Sequence, residues 1–141
     1  MPDDPNPDAD DWRAQRARAV AHHGAELDRR RAAEADQARA MIAEFVAAAR
    51  EAGLAPKPLR ARSYSGRTYR TSLKGWYLDQ GRTIAISAAG EYYSLLVPAS
   101  ATAWLTGADV SPRPPRLIIG EGARDGESIP LATLLQRLLG R

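Results

Sequence analysis

From residue 12 to residue 52 the chain has no proline and draws mainly on Ala, Arg, Glu and Gln, residues that lose little on entering a helix. A stretch of this kind points to a single long helix before anything else is considered. Asp8 or Asp10 can accept from the unpaired amides of its first turn, and Asp11 adds favourable charge there. Gly53 suits the left-handed position just past a helix end, and Pro56 and Pro58 forbid continuation. The predicted helix covers 9–53, and its stretch of about 40 residues from Trp12 to Ala52 alone would be about 60 Å long. That exceeds the diameter of the domain that follows, so part of the helix is expected to project or fold back. Ahead of it, residues 1–8 alternate Pro with Asp and Asn, cannot bury apolar surface, and are expected to form a disordered tail.

The two halves of this helix differ. Met41, Ile42, Phe45, Val46 and Ala49 form a stripe with the spacing of a buried helix face. The first half offers only Trp12, Val20 and Leu27 as large apolar residues, and Arg29, Arg30 and Arg31 mark a solvated surface. Gly24 is the position where a break is expected. A heptad seam runs through Val20, Leu27 and Met41, with Phe45 at the companion position, interrupted by Arg31 and Glu34. Val20, Leu27, Met41 and Phe45 are therefore the candidates for contact with a partner helix or a second copy of the chain.

After Pro58 the periodicity changes from helical to two. Strands are predicted over 59–64, 68–78, 82–87 and 91–97, with turns at 65–66, 79–81 and 88–90 and a bulge at Gly75. A short helix is expected at 99–106. The run containing Pro112, Pro114 and Pro115 must be extended, and Leu117, Ile118 and Ile119 form a short buried strand. Ser128 is placed to cap a last helix over 128–139, whose stripe is Leu131, Leu134, Leu135, Leu138 and Leu139. The expected fold is α+β: a long N-terminal helix, then a domain over 54–141 with a small antiparallel sheet of about four to five strands and a short C-terminal helix.

A chain of 141 residues allows one domain plus an appendage. It has no cysteine, so disulfides and thiolate metal sites are excluded. No apolar run approaches the length of a membrane span, and the acidic start has no apolar core of a signal peptide. A cytoplasmic location and no membrane partner are expected.

Charge is unevenly distributed. Residues 1–53 carry eight basic and eleven acidic side chains, and residues 54–141 carry twelve basic and six acidic, giving −3 and +6 within the total of +3. Arginine supplies nearly all of the positive charge, a usage that also fits a GC-rich genome; the only lysines are Lys57 and Lys74. The densest segment is 57–82, where Lys57, Arg60, Arg62, Arg67, Arg70, Lys74 and Arg82 face a single acid, Asp79. Alternation puts Arg60 and Arg62 on one strand face, and Arg70 and Lys74 likewise. Together with Tyr69 and Trp76 these residues, and Arg67, could hold phosphates and stack bases, although no complete RNA-binding signature or zinc finger accompanies them.

Other motifs carry less. His22 and His23 point about 100° apart on a helix and cannot chelate together. The loop 120–126 has turn glycines, and Gly120, Gly122 and Arg124 would be the anion-binding set, but its spacing matches neither dinucleotide nor nucleotide loops. Glu91 and Asp125 have no spacing that predicts a catalytic pair, and no nucleophile motif is present. Trp76, Tyr77, Tyr92, Tyr93 and Trp104 fit core and rim as well as a binding patch. No catalytic residue, cofactor or metal is expected.

These observations lead first to a small cytosolic, non-enzymatic interaction module that binds a protein partner or itself through the helix and a sheet face. The second reading is a nucleic-acid binder using 57–82, and the third an enzyme or small-anion binder at 120–126.

Overall fold

The computed structural model describes residues 7–120 and 128–141. Helix α1 runs unbroken over Pro7–Glu51, through Gly24. It begins two residues earlier than the sequence suggests. Proline at the first helical position lacks only an amide that the helix could not use, so Pro7 and Asp8 join the helix rather than the tail; the remainder of the expected tail, 1–6, lies outside the described residues. The C-terminus closes as anticipated at Gly53, whose φ is 72°. The Gly53 amide donates to the Arg50 carbonyl at 3.2 Å and the Leu54 amide to the Ala49 carbonyl at 2.8 Å, the paired bonds of a Schellman cap.

The chain forms two compact units, Met1–Ala33 and Glu34–Arg141. In the first, side chains 8–33 are almost all exposed, and the Arg16 guanidinium lies 5.2 Å from the Trp12 ring centre. In the second, α1 buries Ala35, Ala38, Ile42, Phe45, Val46 and Ala49 along one stripe.

Strands β1 (Lys57–Ser63), β2 (Thr68–Tyr77), β3 (Ile84–Ser87) and β4 (Tyr92–Ser94) make an antiparallel meander, and β5 (Leu96–Val97) pairs parallel to β1. The expected single strand over 91–97 is thus two strands. β4 pairs with β3, β5 with β1, and these are the two edges of the sheet order β4-β3-β2-β1-β5. Leu95 joins them: its amide donates to the Thr83 carbonyl at 2.6 Å, and its carbonyl accepts from the Arg62 amide at 2.7 Å. The chain therefore passes from one edge of the sheet to the other at this residue.

The sheet carries a hydrophobic cluster on each face, the inner one away from α1 and the outer one against it. Leu59, Ala85, Tyr93 and Leu95 fill the interior, with Leu73 and Tyr77 against them. On the outside, Trp76, Ile86 and Tyr92 meet the α1 stripe and the last helix, α3 (Leu131–Leu138). Phe45 packs edge-on to Trp76, ring centres 5.2 Å apart.

Three local expectations change. The ladder irregularity lies in β1 between Pro58 and Arg60, whereas Gly75 pairs in register with Ser87. The strand predicted from Arg82 starts at Ile84, because Arg82 has a left-handed φ of 58° and belongs to the turn. The last helix starts at Leu131 with Pro130, not Ser128, at its N-cap. Ile129 and Pro130 form strand β7, paired with β6 (Ile118–Ile119), and no side chain caps the helix. Helix α2 (Ala101–Thr106) is capped by Ser100, whose hydroxyl accepts from the Ala103 amide.

Candidate binding surface on the first hairpin

In β1 the side chains of Leu59, Ala61 and Ser63 are buried, so Arg60 and Arg62 stand on the outer face. The register places Arg60 directly opposite Arg70, Arg62 opposite Thr68, and Pro58 opposite Lys74. Directly paired strand residues have Cα atoms about 4.5–5.5 Å apart, so two guanidinium stems rise side by side. Like charges so placed destabilise a sheet. Arg67, in the connecting turn, is also exposed, with its amide bound to the Ser63 hydroxyl.

Among the described residues, none of Arg60, Arg62, Arg67, Arg70 and Lys74 is ion-paired. The one acid of the segment, Asp79, is engaged in the β2–β3 turn, where its carboxylate accepts from the Thr83 amide, the Thr83 hydroxyl and the Ile84 amide. Arg62 gives an N–H to the Gly81 carbonyl at 2.9 Å and Arg70 one to the Leu105 carbonyl at 3.2 Å. A guanidinium has five donors, so each is steadied while most of its hydrogen-bonding capacity faces solvent.

The aromatic half of the sequence-derived site is different. Tyr69 is buried, its hydroxyl accepting from the Ser100 amide at 3.1 Å. Trp76 is buried under α1, and its indole Nε1 has no hydrogen-bond partner. Neither ring can stack a base. The exposed rings nearby are Tyr64, 81% exposed and two residues beyond Arg62, and Trp104, 64% exposed on α2. Tyr64 falls at the end of the strand predicted over 59–64, in the same alternation as Arg60 and Arg62, and that is the signal that could have found it. Trp104 had no comparable signal, because exposure of a six-residue helix depends on what packs against it.

No family model, curated protein or solved structure matches this chain.

The remaining candidates are dispersed. Of the proposed association residues, Val20 and Leu27 are exposed, Met41 is half-buried against the core, and Phe45, 3% exposed, is occupied within it. Glu34, which interrupts the heptad seam, accepts from the Leu117 amide at 2.9 Å and from Arg116 Nε at 3.3 Å. Gly120 sits at φ 83°, while Gly122, Arg124 and Asp125 lie outside the described residues. Glu91 accepts from the Tyr93 hydroxyl at 2.6 Å, and that bond, more than burial, pushes the Tyr93 phenol up to about 12. An open cleft of about 500 Å³ is lined by Arg39, Tyr92, Arg113 and Pro115 among others. In it, Arg39 is paired with Asp36, and the Tyr92 phenol is raised by burial against the opposing pull of Arg116 and Arg113. Among the described residues, no group of three or more His, Asp and Glu is placed to hold a metal, and no helix is long and apolar enough to cross a membrane.

Proposed function

We propose that this protein is a non-enzymatic binding module that holds nucleic acid against the outer face of the β1–β2 hairpin. The supporting observation is the Arg60–Arg70 pair: two cations in direct cross-strand register, flanked by Arg62 and Lys74, none of them ion-paired among the described residues. Such a face is electrostatically unfavourable alone and is relieved by a polyanion. Residues two apart on a strand lie about 7 Å from one another, so Arg60 and Arg62 offer successive contacts along a phosphate backbone. Asp79, the one acid within segment 57–82, is held in its own turn and leaves the charge intact.

The test is binding of labelled DNA and RNA oligonucleotides across a salt series. Affinity should fall linearly on logarithmic axes, and the variant Arg60→Gln/Arg70→Gln/Lys74→Gln should reduce that slope by roughly 0.7–0.9 for each phosphate contact removed. Absence of binding at low salt, or a slope the triple variant leaves unchanged, would refute the reading.

A second reading rests on residues 8–33, where Val20 and Leu27 are exposed one heptad apart. There the partner would be a second copy of the helix. Light scattering of the full chain and of Val20→Glu/Leu27→Glu decides it: a dimer that the variant dissolves supports self-association, and a monomer in both removes it. With Phe45 occupied in its own core, this seam is shorter than the sequence suggests, which favours the hairpin face.

A further inference from the structure

Helix α2 buries none of its six residues, yet it is fixed at both ends to the strand that carries the cations. At its start, the Ser100 amide donates to the Tyr69 hydroxyl and the Ser100 hydroxyl caps the Ala103 amide. At its end, Arg70 donates to the Leu105 carbonyl while the Ala108 amide donates to the Arg70 carbonyl at 2.7 Å. Between these, Gly107 comes so close that a Cβ there would lie 3.0 Å from the Arg70 carbonyl oxygen. Hydrophobic burial, the usual reason for a short helix to dock, is missing. What the mount secures is the position of Trp104, one residue from the carbonyl that Arg70 holds and 64% exposed. A second ring, Tyr64, stands beyond Arg62 in the turn that carries Arg67, 81% exposed.

From this juxtaposition we infer that the ligand is single-stranded nucleic acid, with bases stacked on Trp104 and Tyr64 while Arg60, Arg70 and Lys74 hold its phosphates. The inference rests on the reading of the hairpin as a nucleic-acid face and narrows it. In a duplex the base faces are covered by their neighbours, and a protein that touches only the backbone gains nothing from an exposed indole. An unpaired base offers a free face to an aromatic ring, whatever its identity. A guanidinium beside the ring adds attraction for both the phosphate and the stacked base.

The experiment compares a labelled 20-nucleotide oligo-dT with a 20-base-pair duplex on the full chain at fixed salt. The wild type should prefer the single strand by about tenfold or more. Trp104→Ala should weaken oligo-dT binding by about five- to a hundredfold and leave the duplex unaffected, and Trp104→Phe should restore most of the loss. Because Trp104 is 64% exposed on a helix that buries none of its residues, circular dichroism should report an unchanged fold. In a Trp12→Phe background, oligo-dT should quench tryptophan emission, and the quenching should disappear on further replacement of Trp104 by Phe. Equal affinity for both ligands, or oligo-dT binding indifferent to Trp104→Ala, would overturn the inference even where the cation variants still confirm a nucleic-acid face. Preferential binding to vesicles rich in phosphatidylserine would overturn it also. Failure of either nucleic acid to bind would instead remove the broader reading along with it.

Discussion

Arg60 and Arg70 occupy the same rung of the β1–β2 ladder and rise from the same face of the sheet. Opposite charges on a rung stabilise by about 0.2–1 kcal/mol, and like charges oppose folding comparably. Arg60→Glu should therefore raise the stability of the free protein by about 0.5–1 kcal/mol, visible as a thermal midpoint a few degrees higher at low salt. In 1 M salt most of that gain should vanish, since screening is then almost complete over the separation involved. The same variant should bind nucleic acid more weakly. Stability and binding moving in opposite directions is the signature of a face arranged for a partner. A variant less stable than wild type at low salt would show that the two arginines do not oppose each other.

Gly75 tests how tightly β2 and β3 are joined. A Cβ on this residue would fall 1.9 Å from the Ile86 carbonyl oxygen and 2.8 Å from Ser87 Cα, both backbone positions that cannot move aside without parting the strands. Gly75→Ala should cost about 4 kcal/mol or more, seen as a denaturation midpoint far below wild type or as loss of soluble protein. Gly24→Ala, at a helical position with open space around an added Cβ, should be neutral or slightly stabilising.

The contrast between these two glycines shows what was legible in the sequence. Gly53 was recognisable as a helix stop because capping is local, and the alternation that buries Leu59, Ala61 and Ser63 is a property of strand geometry alone. The cations were legible as charge. Which aromatic rings stayed exposed was not, because Trp76 shares the outer face with Arg70 and Lys74 and is lost to solvent only where α1 crosses β2. The break at Leu95 was hidden for a related reason. Tyr93 and Leu95 keep regular alternation across it, and only the pairing with β3 on one side and β1 on the other divides the strand. Pro130 replaced Ser128 at the last helix because a two-residue strand with Ile119 takes up the backbone where a cap was expected.

Asp79 is the organising residue of the β2–β3 turn, accepting from both polar hydrogens of Thr83 and from the Ile84 amide. Hydrogen bonds to an ionised group contribute more than neutral ones. Asp79→Ala should lower stability by about 2–3 kcal/mol, and Asp79→Asn by less, since the amide oxygen can still accept. Neither should weaken nucleic-acid binding once the fold is intact; removing this carboxylate should, if anything, strengthen it by leaving segment 57–82 without an acid. Chemical denaturation paired with the salt-series assay separates the two effects, and a loss of binding that tracked no loss of structure would place Asp79 in the site rather than in the turn.

Tyr93 ties stability to alkaline pH. Its hydroxyl donates to Glu91 at 2.6 Å, and this bond, followed by burial and by the negative charge of Glu91, raises the phenol to about 12. In the unfolded chain a tyrosine titrates near pH 10, roughly two units lower. Between these values the unfolded state releases its proton while the folded state retains it, so stability must fall as pH rises. The contribution is complete below about pH 10 and is lost by the time the folded phenol ionises at about 12. The Tyr92 phenol, raised chiefly by burial, acts in the same direction. Urea denaturation at pH 8, 10 and 11 should show a declining midpoint, accompanied by the ultraviolet absorbance of tyrosinate on unfolding. Tyr93→Phe should be less stable than wild type at pH 8, because the bond to Glu91 is gone, yet lose less on going to pH 11, so that the two curves converge. Parallel curves would mean that Tyr93 ionises alike in both states and that the bond to Glu91 does not hold its proton.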